Sequence, residues 1–158
     1  MMSNKTRFLF GGAMLSVFAF AGTPEVRGQL IVGNDQGGTA SIYNVNPTTG
    51  VATPIYTSST SEAKPWGMAY DSGSNTLYWN NGSVLFSSPF GAVLTPTNLG
   101  TITFNAAAAS FVGLGFRNGK LLGTRNIATE AVYEIDPATL IATQLYVHPS
   151  TFDFGGLD

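Results

Sequence analysis

The chain has 158 residues, 44% of them hydrophobic and 10% charged, with a formal net charge of −2; this excludes a disordered chain and fits one packed domain. It contains no cysteine, which excludes disulfide cross-links and thiolate metal sites. Nineteen glycines and eight prolines predict many turns and short elements.

At the N-terminus, Lys5 and Arg7 precede a 14-residue apolar run from Phe8 to Ala21 that closes on Ala19-Phe20-Ala21. A basic segment, an apolar segment and an A-x-A site predict a secretory signal peptide, assigned to residues 1–28. A membrane anchor is the weaker reading, because the run is shorter than the roughly 20 residues of a spanning helix and contains Gly11 and Gly12. Cleavage after Ala21 matches the motif, and a site near Gly28-Gln29 also leaves the first strand intact. Export to the periplasm, cell surface or medium follows, with no stable membrane span after cleavage. From Gln29 onward four basic residues face eight acidic ones, a net charge of −4, the wrong sign for a nucleic-acid partner.

Leu30-Ile31-Val32 reads as a strand, ending in the turn formers Gly33 to Gly38. Ser41 to Val45 is a second strand and Val51 to Tyr56 a third, whose Pro54 fits only a sheet edge. Trp66 to Asp71 and Thr76 to Asn80 flank the turn Ser72-Gly73-Ser74-Asn75, a hairpin pattern. Ser83 to Ser87 follows, then Pro89-Phe90-Gly91 and a strand over Ala92 to Thr95. The segment from Pro96 to Thr103 reads as irregular. Ala106 to Ala109 reads as loop, because four uncapped alanines do not make a stable helix. Val112 to Phe116 and Lys120 to Thr124 flank Arg117-Asn118-Gly119, and Ala131 to Ile135 and Ile141 to Tyr146 flank Asp136 to Thr139. Phe154-Gly155-Gly156-Leu157-Asp158 reads as the opening of a further strand.

These elements repeat. The turn prolines Pro47, Pro89 and Pro137 are 42 and 48 residues apart, and the pairs Gly67-Met68, Gly113-Leu114 and Gly156-Leu157 are 46 and 43 apart. A period near 45 residues with four short strands predicts an all-β fold of four-stranded antiparallel propeller blades. The units fall at about 29–65, 66–111 and 112–153, with the start of another at 154–158. An all-β sandwich with evenly spaced strands is the competing architecture, but it does not explain two sets of markers in the same phase.

The pattern Gly-Leu-Gly-Phe at 113–116, Gly-Lys-Leu-Leu-Gly at 119–123 and Val-Tyr-Glu-Ile-Asp-Pro-Ala-Thr at 132–139 resembles the blades of exported bacterial β-propellers related to YVTN, NHL and quinoprotein-like repeats. The resemblance covers Leu30 to Asp158 and implies a propeller at the surface of, or secreted from, a bacterium. It implies no function, since these motifs are turn and core residues. Three units are fewer than a ring of four to eight blades, and the first unit lacks its inner strand. The expectation is therefore an incomplete propeller, the N-terminal part of a longer one, with open blade edges that permit self-association.

No catalytic, cofactor or metal site emerges. His148 is the single histidine and no serine lies in a G-x-S-x-G context, so a hydrolase triad has no support. Asp71-Ser72-Gly73-Ser74-Asn75 alternates oxygen ligands but lacks the second carboxylate and terminal Glu of a calcium loop; a hairpin turn explains it. Gly33 to Gly38 precedes no helix and is not a phosphate cradle.

Loop lengths point elsewhere. In a meander of four strands the first and third turns share one end, and the middle loop and the link to the next unit share the other. The first set is short, whereas the second is longer and differs between units, and binding residues concentrate on such loops. The candidate binding face is therefore Asp35, Gln36, Lys64, Trp66, Asn81, Arg125, Asn126, Glu130 and Asp153. The adjacent Tyr78 and Trp79 face opposite ways along their strand, with at least one in the core. The leading functional expectation is an exported, non-enzymatic module that binds a protein or carbohydrate without a cofactor. A fragment of a propeller enzyme, such as a quinoprotein dehydrogenase or lyase, and a structural surface protein are the alternatives.

Overall fold

The computed structural model describes residues 30–34, 40–60, 64–125, 127 and 130–147. The predicted signal peptide, His148 and the opening strand at 154–158 lie outside these residues.

The described residues form three successive antiparallel meanders. The first sheet has three strands, β1 (Leu30–Gly33), β2 (Ala40–Val45) and β3 (Ala52–Ser58). As the sequence predicts, Pro54 lies on an edge strand of this sheet, where a proline is tolerated. The second sheet runs through β4 (Gly67–Asp71), β5 (Thr76–Asn81), β6 (Val84–Pro89) and β7 (Thr97–Thr101). After a small hairpin, β8 (Thr103–Phe104) with β9 (Ala107–Ala108), the third sheet follows: β10 (Gly113–Arg117), β11 (Lys120–Thr124), β12 (Ala131–Ile135) and β13 (Ala142–Val147).

Two expectations are corrected. The fourth strand of the second sheet is Thr97–Thr101, not Ala92 to Thr95, so the "irregular" segment is the one that pairs with β6. The residues 90–96 form a long connection instead, in which the Leu94 N–H donates to the Ile55 carbonyl at 2.8 Å and buries Leu94 between the first two sheets. The alanine-rich stretch is a hairpin rather than plain loop. Its turn places Asn105 and Ala106 at φ 51° and 63°, the left-handed pair that a two-residue hairpin needs and that normally draws Asn-Gly.

The sheets stack face to face, because alternate residues of the second sheet serve two cores. Leu77, Trp79 and Phe86 pack with Ile42, Ile55 and Tyr56 of the first sheet. Ala69, Tyr78 and Leu85 pack with Leu114, Leu121, Tyr133 and Ile135 of the third. Tyr78 and Trp79 thus point to opposite cores: Trp79 is fully buried and stacks on Phe86 at 5.9 Å, while Tyr78 stacks on Phe116 at 5.7 Å. Each such side chain stabilises the stack by about 1.5–3 kcal/mol on burial. The inner strands β4 and β10 lie against each other, and Gly67 permits it, since a Cβ there would sit 2.7 Å from the Leu114 nitrogen.

Candidate functional site

The two ends of the sheets differ in construction. At one end, turns close on themselves with local polar groups. Asp71 accepts bonds from the Gly73 N–H at 2.8 Å and the Ser74 hydroxyl at 2.6 Å, so the carboxylate that resembled a calcium ligand is engaged within its turn. The neighbouring connection joins it, with the Phe90 N–H on the Asn75 carbonyl and the Asn75 amide on the Phe90 carbonyl. In the third sheet, Asp136 caps the Pro137 turn through the Ala138 N–H and pairs with Lys120.

At the opposite end, long-range contacts replace local ones. The Trp66 N–H donates to the Asn80 carbonyl at 2.8 Å, and the Gly67 N–H donates to the Asn80 side-chain oxygen at 3.0 Å. The amide nitrogen of Asn80 then donates to the carbonyls of Gly82 and Phe111 at 2.6 and 2.7 Å. The Phe111 N–H returns to the Gly82 carbonyl at 3.1 Å. Fully buried, Asn80 therefore staples the β5–β6 turn to the link that enters the third sheet.

Two side chains rest on this staple. The Trp66 ring lies over Gly82, 3.7 Å from where a Cβ would stand, with Ser110 beside it, and Trp66 remains 48% exposed. Gly82 has φ 61°, a left-handed conformation suited to glycine, and its bare backbone gives the ring its seat. Arg125 directly follows β11 and places its guanidinium 6.0 Å from the Phe111 ring and 5.7 Å from the Tyr133 ring, within cation–π range. Those two rings meet edge to face at 5.5 Å.

Among the described residues, three buried polar atoms of the third sheet have no hydrogen-bond partner here: the Thr124 hydroxyl, the Arg125 Nε and one Glu130 carboxylate oxygen. Thr124 corresponds to Asn80, since Gly67 pairs with Asn80 and Gly113 with Thr124 in the same register.

Of the sequence-derived face, Lys64, Trp66, Asn81, Arg125 and Glu130 are among the described residues, at the start of β4, the end of β5, the end of β11 and the start of β12. Trp66 and Arg125 both abut the Gly82–Phe111 segment. Lys64 and Asn81 are half-buried. Glu130 is only 3% exposed, so its carboxylate faces the interior rather than a surface ligand. Asp35, Gln36, Asn126 and Asp153 fall outside the described residues. Asn80, Gly82 and Phe111 were not singled out from sequence; the signal for Gly82 was present in Asn81-Gly82, but nothing local marks Phe111, 31 residues from the amide it receives. A separate open groove of about 510 Å³ runs between Thr103–Ala106 and the start of β13, lined by Phe104, Asn105, Ile141 and Gln144. Among the described residues, no group of three acidic or histidine side chains could hold a metal ion.

Neither a family model nor a curated protein matches the chain. Solved structures do. A chain of a nidogen/laminin complex aligns over 80% of this chain and 45% of its own length, with 15% identity and a TM-score of 0.55. The periplasmic gluconolactonase of Pseudomonas aeruginosa aligns over 76% of this chain and 38% of its own, with 14% identity and a TM-score of 0.46. The chain spans less than half the length of both. The nidogen/laminin neighbour is a β-propeller, and the three stacked meanders have the fold of consecutive propeller blades.

Proposed function

We propose that this chain is an exported, non-enzymatic binding module that takes a carbohydrate or protein ligand at the end of its sheets carrying Trp66 and Arg125. One observation carries the reading: a half-exposed indole is seated on a glycine turn that a buried amide network holds in place. A fixed aromatic surface needs little further ordering to stack on a sugar face or an apolar side chain, and aromatic and arginine anchors dominate binding energies. Export rests on Lys5, Arg7, the apolar run and Ala19-Phe20-Ala21. Among the described residues no helix is long and apolar enough to cross a membrane.

The chain's two tryptophans separate cleanly for a test, since Trp79 is fully buried and Trp66 is not. Candidate glycans and exported proteins are screened by immobilised array, and hits are titrated by tryptophan fluorescence. A ligand at this end shifts the Trp66 emission, and Trp66→Ala weakens it by about tenfold or more. Binding that survives both Trp66→Ala and Arg125→Ala overturns the proposal. Export is checked by whether the mature protein, sequenced at its N-terminus, starts between residues 22 and 29.

A further inference from the structure

Asn-Gly occurs twice in the chain, at 81–82 and at 118–119, and the two pairs sit in unlike surroundings. The dipeptide has a chemistry of its own, because the backbone nitrogen that follows an asparagine can attack the asparagine's side-chain carbonyl. Glycine has no Cβ to shield that nitrogen or to restrict the backbone around it. Whether the attack occurs then depends on whether the local chain can turn to bring the two atoms together.

At the first pair it is held back. Asn81 is half-buried at the end of β5, in register with Val84, and Gly82 is buried. The Gly82 carbonyl accepts from the Asn80 side-chain amide and from the Phe111 N–H, at 2.6 and 3.1 Å. Its α-carbon is covered by the Trp66 ring and the Ser110 hydroxyl, 3.7 and 3.5 Å from where a Cβ would stand. Turning this peptide would break the staple that Asn80 makes.

The second pair is the whole of a turn. Asn118 and Gly119 join β10 to β11 between the paired residues Arg117 and Lys120. Their φ values, 52° and 79°, are the left-handed pair of a type I′ hairpin. Arg117, Asn118 and Gly119 are all exposed, and a Cβ on Gly119 would meet nothing within 4 Å. A change of backbone angle here displaces two residues and no packed side chain.

We infer that Asn118 is a site of spontaneous covalent modification, at which the hairpin converts its own amide into a carboxylate. The Gly119 nitrogen gives up its proton and bonds to Asn118 Cγ. The bond from Cγ to Nδ2 breaks, and Nδ2 leaves as ammonia with that proton, closing a succinimide ring. Water then opens the ring at one of its two carbonyls. Opening at Cγ gives aspartate; opening at the main-chain carbonyl gives isoaspartate, whose backbone runs on through Cγ. No electron transfer is involved, and water is the only co-reactant.

The two products affect the fold differently. Asp-Gly suits a type I′ turn as well as Asn-Gly does, so aspartate keeps the hairpin and adds a negative charge between Arg117 and Lys120. Isoaspartate lengthens the main chain by a methylene, and a two-residue turn that fixes the register has no slack to absorb it. The rung from Arg117 to Lys120 is lost, and with it the placement of the Lys120 ammonium against Asp136.

The test holds the full chain in mildly alkaline buffer, native in one arm and in denaturant in the other. Peptides spanning residues 81 and 118 are followed by mass and by labelling with an isoaspartyl methyltransferase. In the native arm the 118 peptide is expected to exchange an amide's mass for a carboxyl's and to take up label, while the 81 peptide does neither; in denaturant both convert. Asn118→Gln, whose longer side chain disfavours the ring, is expected to lose the label at 118. Asn118→Asp should melt with the parent, and the separated isoaspartate form several degrees below it. A 118 peptide that stays unchanged in the native arm while the denatured arm converts, or equal conversion of both peptides in the native arm, overturns the assignment. An isoaspartate form that melts with the parent overturns the effect on the hairpin.

Discussion

Asn80 and Thr124 occupy the same place in consecutive sheets, the last inner-facing position of the second strand, and they do opposite things. Asn80 is fully buried and satisfied: it accepts from Gly67 and donates to Gly82 and Phe111. Thr124 is equally buried, yet its hydroxyl has no partner among the described residues. The backbone bond of each is kept, Trp66 to Asn80 and Val112 to Thr124 at 2.8 and 2.9 Å. The blade pattern therefore fixes the backbone at this point and leaves the side chain to decide whether the loop end is locked. A locked end, as in the second sheet, is a platform for Trp66. The end of the third sheet differs, with Thr124, Arg125 and Glu130 all carrying buried polar atoms that have no partner among the described residues, an arrangement that costs stability.

Removing the lock tests this difference most severely. Asn80→Leu fills the volume but strands the Gly67 N–H and the Phe111 carbonyl, so a loss of about 3 kcal/mol is expected in denaturant unfolding. Asn80→Asp keeps the acceptor for Gly67 but sets a buried carboxylate oxygen against the Gly82 and Phe111 carbonyls, and should be at least as destabilising as Asn80→Leu near neutral pH. If Asn80→Leu unfolds at the parent's midpoint, the staple is decorative and the contrast with Thr124 fails. Gly67→Ala comes next. Its Cβ would stand 2.7 Å from the Leu114 nitrogen and 2.9 Å from the Gly113 carbonyl carbon, both backbone atoms that cannot step aside, and the forced separation of β4 from β10 should cost about 2–3 kcal/mol.

The same two residues show where the sequence is legible. The meanders could be read because turn prolines and paired glycines recur in phase, and because strands that face two cores are apolar on both sides, as Leu77-Tyr78-Trp79 is. β7 was hidden for the converse reason. Thr97-Asn98-Leu99-Gly100-Thr101 is an outer strand, mostly exposed, held by its ladder to β6 rather than by an apolar face, so no periodicity marks it. The hairpin at 103–108 was hidden because Ala106 stands where a turn usually announces itself with glycine. Of the candidate site, Trp66 and Arg125 were legible as large side chains on loop stems. Glu130 looked equally available, and its burial comes from packing that no local pattern records. Asn80 and Phe111 were invisible because their bond joins residues from different blades.

Thr124→Val sharpens the comparison from the other side. The substitution is nearly isosteric and removes a buried hydroxyl that has no partner, so it should raise stability by about 1 kcal/mol, where the equivalent change at Asn80 lowers it. A measured loss at Thr124 would mean that its hydroxyl is engaged in solution and that the two loop ends are more alike than their hydrogen bonds indicate.

At the other end the second and third sheets should behave alike, and acid provides the check. The Ser74 hydroxyl on Asp71, with the Gly73 and Ser74 backbone, holds that carboxyl below its ordinary 3.8; the Lys120 ammonium on Asp136, with the Ala138 backbone, does the same there. A carboxyl lowered by folding stabilises the native state at pH values above its unfolded value, and that contribution disappears as pH falls through the lower, folded value. The loss therefore belongs below about pH 4, and it is small, since both groups are solvent-exposed and screened. Asp71→Asn and Asp136→Asn should each flatten the fall in melting temperature between about pH 4 and pH 2, to a similar extent, by slightly lowering the plateau near neutrality while leaving the value at about pH 2 almost unchanged. If only one of them does so, the two turns are not equivalent, and the division of the blades into a uniform turn end and a variable loop end would have to be redrawn around the sheet that differs.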